Sequence, residues 1–144
     1  MGHMERVIEE FRDRFPVRGK FEFSQGQRIR EVVRSAEVPE EYGAYIISDP
    51  QGRVLYIGCS GTMLNNGEFR MQTLRGRLTN RQGRRSRQEF FGDVLRERGV
   101  QSLHFEWFVT FGGANKVLPS LAESQLLQAY FDDHGRLPPY NERA

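Results

Sequence analysis

An α/β domain of the α+β kind, with a small antiparallel sheet of three strands flanked by helices, is predicted by three observations. Apolar spacing switches between helical and alternating periods along the 144 residues, two central apolar runs flank a tetrapeptide with turn chemistry, and no internal repeat or low-complexity linker interrupts the pattern. The length suits one domain with a single sizeable core.

The elements follow in order. Val7, Ile8, Phe11 and Phe15 recur at helical spacing, behind an opening Met1-Gly2-His3-Met4 that resembles an expression scar, so His3 is set aside from site reasoning. Phe21 and Phe23 alternate as a short strand or extended segment does. With Ser24 as N-cap, Ile29, Val32, Val33 and Ala36 predict an amphipathic helix that ends before Pro39. Residues 1–41 thus read as an N-terminal helical extension, and 42–144 as the main domain. Residues 42–48 and 53–57 flank Asp49-Pro50-Gln51-Gly52 and predict a β-hairpin. Residues 59–67 read as a loop, after which Met71, Leu74 and Leu78 mark a helix to about Asn80. A basic loop from Arg81 to Arg87 leads into a helix over 87–98 carrying Phe90, Phe91, Val94 and Leu95. Residues 102–111 predict the third strand. Pro119 and Ser120 begin a last helix of about a dozen residues, stopped by Gly135.

The net charge of +2 implies no partner by itself, but its distribution does. Between Arg70 and Arg98 stand nine arginines against three carboxylates, whereas the remainder is net acidic. Such a stretch is an anion-binding footprint, and guanidinium forks suit phosphate better than point charges do. Arg70, Arg75, Arg81, Arg84, Arg85 and Arg87 form the candidate phosphate track, against the alternative of a solvated, Arg-biased surface. One cysteine, Cys59, excludes an internal disulfide, and with three scattered histidines it makes no structural zinc site. A reducing cytoplasm fits this usage. No apolar run approaches a transmembrane span, and no signal-peptide core opens the chain, so no membrane partner is expected.

Two features bear on chemistry. A two-residue loop at Pro50 and Gln51 places Tyr45 directly opposite Tyr56, so that two phenols converge; a type I turn with Gly52 in a bulge slides the register by one and separates their faces. Ser120-Leu121-Ala122-Glu123 is a capping-box pattern, yet Leu126, Leu127 and Tyr130 lie at i+3, i+4 and i+7 from Glu123, which turns that carboxylate toward the apolar face. A carboxylate there needs a cation, either a divalent metal or an arginine such as Arg77. Arg75 and Arg77 border the Met71, Leu74, Leu78 stripe on opposite sides, and periodicity does not choose between them.

Gly43-Ala44-Tyr45 and, further on, Tyr56-Ile57-Gly58 resemble the two halves of the GIY-YIG nuclease signature. The resemblance continues through Leu74-Arg75-Gly76-Arg77-Leu78, like the family's arginine helix, through Glu123 in the last helix, to Asn141 after Pro138. It implies a GIY-YIG-like domain over residues 42–144 that acts as a metal-dependent endonuclease on DNA phosphodiester bonds. It also selects Arg77 over Arg75 and favours a metal at Glu123. On this reading Glu123 holds Mg2+ or Mn2+, Tyr45 assisted by Tyr56 deprotonates or positions water, Arg77 neutralises phosphoryl charge and Asn141 braces the site. A phenol titrates near 10 in water, so Arg77 and the metal are expected to lower it. The chain departs from the pattern at Cys59, where the family often has lysine, and in a longer 60–73 loop. Arg70 or Arg75 is a candidate replacement for that cation; Cys59 as a nucleophile lacks a neighbouring histidine in sequence. A non-catalytic nucleic-acid-binding module and an RNA-processing nuclease are the competing readings.

Overall fold

A computed structural model describes residues 2–82 and 85–144, and of Arg81 and Gln82 the backbone alone. In chain order the elements are α1 (His3–Arg14), β1 (Arg18–Ser24), α2 (Ile29–Ser35), β2 (Tyr42–Ser48), β3 (Val54–Cys59), β4 (Thr62–Met63), β5 (Phe69–Arg70), α3 (Leu74–Thr79), β6 (Arg81–Gln82), β7 (Arg85–Ser86), α4 (Arg87–Arg98), β8 (Ser102–Gly112), β9 (Asn115–Lys116) and α5 (Pro119–His134). The fold is α+β, with an antiparallel sheet and flanking helices.

The sheet has five strands, not three. Its path is β1-β8-β2-β3, with β9 also paired to β8. Strand β1 runs in register with β8 from Arg18 opposite Phe108 to Ser24 opposite Ser102, so this part of the N-terminal segment is sheet. Phe21 stacks on Phe105 with ring centroids 4.4 Å apart, and Phe23 is buried beside Leu103. The polar outward positions Arg18, Lys20 and Glu22 leave only those two phenylalanines as a sequence signal for a seven-residue strand. Strand β9 is two residues long and carries no periodicity to read.

Local chemistry explains other departures. Ser24 ends β1 and caps nothing; the N-cap of α2 is Arg28, and the Ile29 N–H is satisfied by the Gln88 side chain at 2.7 Å. The loop read over 59–67 contains β4, paired with β5. Met71, expected on the buried stripe, is exposed and precedes α3, with φ +77. That helix starts at Leu74, where the Thr73 hydroxyl accepts the Gly76 N–H, and it buries Leu74 and Leu78. Strands β6 and β7 pair across the basic loop. Helix α4 opens with Ser86 accepting the Glu89 N–H and closes on left-handed Gly99. Helix α5 is 16 residues long, ending at Gly135.

Two cores lie on opposite faces of the sheet. One gathers Ile29 and Val33 of α2, Leu74 and Leu78 of α3, and Phe91, Val94 and Leu95 of α4 against Tyr45, Ile47, Phe105 and Trp107. The other packs Met4, Phe11 and Phe15 from the α1 region, and Ala122, Leu126, Leu127 and Tyr130 of α5, on Ala44, Ile46, Ile57 and Phe108. A two-pronged Arg12–Glu106 ion pair, 2.7 and 2.8 Å, ties α1 to β8. The result is a helix–sheet–helix sandwich with β3 at one edge. Among the described residues no helix is long and apolar enough to cross a membrane.

Candidate active site

The hairpin register follows neither simple alternative. Gly52, at φ +85, donates to the Asp49 carbonyl at 2.9 Å, and the Asp49 N–H reaches Arg53, an offset of one residue from a two-residue loop. A second irregularity follows, because Ser48 pairs with Val54 but Ile47 with Tyr56, leaving Leu55 as an extra residue on β3. The two offsets add to two residues and therefore restore the face. Tyr45 stands opposite Gly58 and Tyr56 opposite Ile47, so the tyrosines meet diagonally with ring centroids 6.1 Å apart.

Both motif glycines have steric reasons. A Cβ on Gly43 would sit 1.8 Å from the Phe108 carbonyl oxygen, where β8 comes closest. A Cβ on Gly58 would sit 2.6 Å from the Tyr45 hydroxyl and 2.9 Å from Tyr56. Tyr45 is fully buried and its hydroxyl has no hydrogen-bond partner among the described residues. Tyr56 is half-buried. Its pKa is raised: the neighbouring Tyr45 and burial outweigh the opposing pull of Arg87 and Arg77, and Glu123 adds to the rise.

Arg77, on α3, buries a partnerless Nε and acts electrostatically on Tyr56, Cys59 and Glu123 alike. Arg75 turns away: its Nε donates to the Val38 carbonyl at 2.8 Å, and Glu40 lies 4.0 Å from its other end. Arg70 is exposed on β5. Glu123 is not a cap, since the N-cap of α5 is Leu118 and no side chain caps there. It is half-buried over the end of β3, and burial raises its pKa against the pull of the Cys59 thiol and Arg77. Cys59 is in turn pushed up to about 12 by burial and by the charge and hydrogen bonding of Glu123. A thiol so disfavoured as thiolate is a poor nucleophile.

Asn141 reaches the outer edge of β3. Its side chain accepts the Ile57 N–H and donates to the Ile57 carbonyl, both at 2.9 Å, while the Tyr140 N–H donates to the bulged Leu55 carbonyl at 3.0 Å. These bonds pair an edge that would otherwise be open. Between this tail, β3, the start of α4 and α5 runs a cleft of about 370 Å³, lined by Tyr56, Arg85, Arg87, Phe90, Glu123 and Asn141, among others. Tyr45 and Arg77 adjoin it through Tyr56. Arg85 pairs with Asp93. Arg87, named in the candidate phosphate track, is buried at the cleft wall, a placement that its setting in a charged run did not reveal. Arg84 lies outside the described residues, as does the side chain of Arg81.

Among the described residues no three His, Cys, Asp or Glu side chains group as a metal site. A half-buried carboxylate whose pKa burial raises, with Arg77 acting through space, still fits the one-carboxylate coordination in which magnesium takes its other ligands from water and phosphate. Searches of family models, curated proteins and solved structures give no match to this chain.

Proposed function

We propose that the chain is a metal-dependent endonuclease that hydrolyses DNA phosphodiester bonds, as the GIY-YIG resemblance implies. The observation that carries this reading is the meeting of Tyr45, Tyr56, Arg77 and Glu123 from β2, β3, α3 and α5, with the Tyr45 hydroxyl and Arg77 Nε left without hydrogen-bond partners among the described residues. Buried polar groups without partners are costly to keep, and these two lie behind Tyr56, which lines the cleft.

In the proposed reaction a water oxygen attacks phosphorus and the bond to the leaving oxygen breaks. Tyr45 Oη, having first given its own proton to solvent, takes a proton from that water, and the leaving oxygen gains one from solvent. Tyr56, held neutral by its raised pKa, orients the water by hydrogen bonding instead of acting as the base. Arg77 donates to the phosphoryl oxygens as charge grows on them. Glu123 would hold Mg2+ or Mn2+, which when bound polarises the phosphate and stabilises the leaving oxygen. Asn141 contributes by fixing the backbone of β3 beside Tyr56.

The test is incubation with supercoiled plasmid, single-stranded and branched DNA, with magnesium, with manganese and with chelator. Metal-dependent nicking supports the proposal. Binding without cleavage under every condition would replace it with the binding-module reading, and cleavage confined to RNA would move the substrate class.

A further inference from the structure

Arg87 is a buried cation at the wall of the cleft. Its residue is 3% exposed, and its Nε and Nη2 have no hydrogen-bond partner among them. It is the first residue of α4, where the helix dipole opposes a cation. Its guanidinium lies 5.2 Å from the Phe90 ring centroid and 5.6 Å from that of Phe91, which supplies cation–π attraction but no counter-charge. The neighbouring Arg85, by contrast, has Asp93. Burying a guanidinium without an anion is strongly unfavourable, so a residue whose Nε and Nη2 find no partner among the described residues is suited to an external one.

We propose that Arg87 is a phosphate-binding subsite in the cleft, taking a backbone phosphate of a nucleic-acid strand next to the one that is cut. The proposal rests on the nuclease reading for the identity of the strand. Three things favour phosphate. The planar fork of arginine matches its oxygens, and the positive end of α4 adds to the attraction. Phe90 meets Tyr56 and Tyr140 edge to face at 6.1 and 5.9 Å, giving an aromatic wall on which a neighbouring base can stack. The cleft of about 370 Å³ has room for one nucleotide unit.

The experiment measures binding of a short fluorescent single-stranded oligonucleotide by the full chain in chelator, so that cleavage plays no part. Arg87→Met removes charge while filling the space; its affinity should fall at least tenfold, and the log–log salt slope should shrink by about 0.7 for one lost phosphate contact. Its melting temperature should hold or rise, and inorganic phosphate and a mononucleotide should stabilise the parent but not the variant. Unchanged affinity and slope in a folded Arg87→Met would overturn the proposal. If that variant does not fold, Arg87→Lys decides: weakened binding on an intact fold supports the subsite, and undiminished binding refutes it. Stabilisation by free phosphate with no effect of Arg87→Met on the oligonucleotide would overturn the strand as ligand. Should the parent bind through Arg87 but never cut DNA, the nuclease reading falls and the subsite stands; cleavage that continues with unaltered binding in Arg87→Met has the reverse meaning.

Discussion

The Tyr45 phenol occupies the space that a side chain on Gly58 would need, since a Cβ there would come within 2.6 Å of the tyrosine hydroxyl. The glycine thus creates room for a phenol that packs over the strand paired with its own. Gly58→Ala should displace Tyr45 or Tyr56, destabilise the fold by about 1–3 kcal/mol through overpacking, and abolish cleavage. Denaturant unfolding and plasmid nicking measure the two effects; an alanine variant with parental stability and rate would show that the phenols have slack.

Glu123→Gln should stop cleavage and leave DNA binding intact. It should also stabilise the protein at pH 7 and not at pH 4. The carboxylate's pKa is raised by burial, so the folded state carries no penalty while the group is protonated and loses stability as pH rises through the folded value. Glutamine removes that loss. Melting curves at both pH values check the sign, and a lower melting temperature at pH 7 would mean that Glu123 is a needed half of an ion pair.

Cys59 should react with iodoacetamide at pH 8 on the order of a thousandfold more slowly than an unfolded thiol, because a pKa of about 12 leaves little thiolate. The same shift means stability held below about pH 9 and lost as pH climbs toward 12. Cys59→Ser should therefore flatten the alkaline limb of the stability profile and keep cleavage. Loss of cleavage in the serine variant, with activity retained in Tyr45→Phe, would reverse the roles proposed for the two residues.

Asn141→Ala removes both bonds to Ile57 and should cost about 1–3 kcal/mol. Hydrogen exchange at the Ile57 amide is the direct readout. Protection there should fall more than at the β2–β8 pairing in the sheet interior, and uniform loss across the sheet would argue against a local clamp.

Glu123 shows what sequence reasoning reaches. Its spacing to Leu126, Leu127 and Tyr130 places it on the buried side of α5 from local periodicity alone, and those three residues are buried. The hairpin strands were legible for the same reason, but the two register offsets were not. A bulge at Leu55 is stabilised by a backbone bond from Tyr140, 85 residues away, and no local pattern announces it. Arg87 belongs to the candidate phosphate track, but its burial was not legible, because charge runs ordinarily face solvent. Its burial follows from tertiary placement against Phe90 and Phe91, and two aromatics in a row do not disclose which neighbour they shelter.

The two cores on either side of the sheet set the site jointly. Tyr45 and Arg77 ride on the face covered by α2, α3 and α4, whereas Glu123 rides on α5 from the other, and all three act on Tyr56 of the edge strand β3. A misplacement of one ångström can lower a rate by about a hundredfold. Repacking beneath Leu126 would move the carboxylate against a stationary pair of phenols, and repacking beneath Leu78 would move the arginine against a stationary carboxylate. Selection for chemistry is therefore also selection for agreement between two hydrophobic halves that never touch, and a change that improves one half alone is tolerated only within the slack of the other.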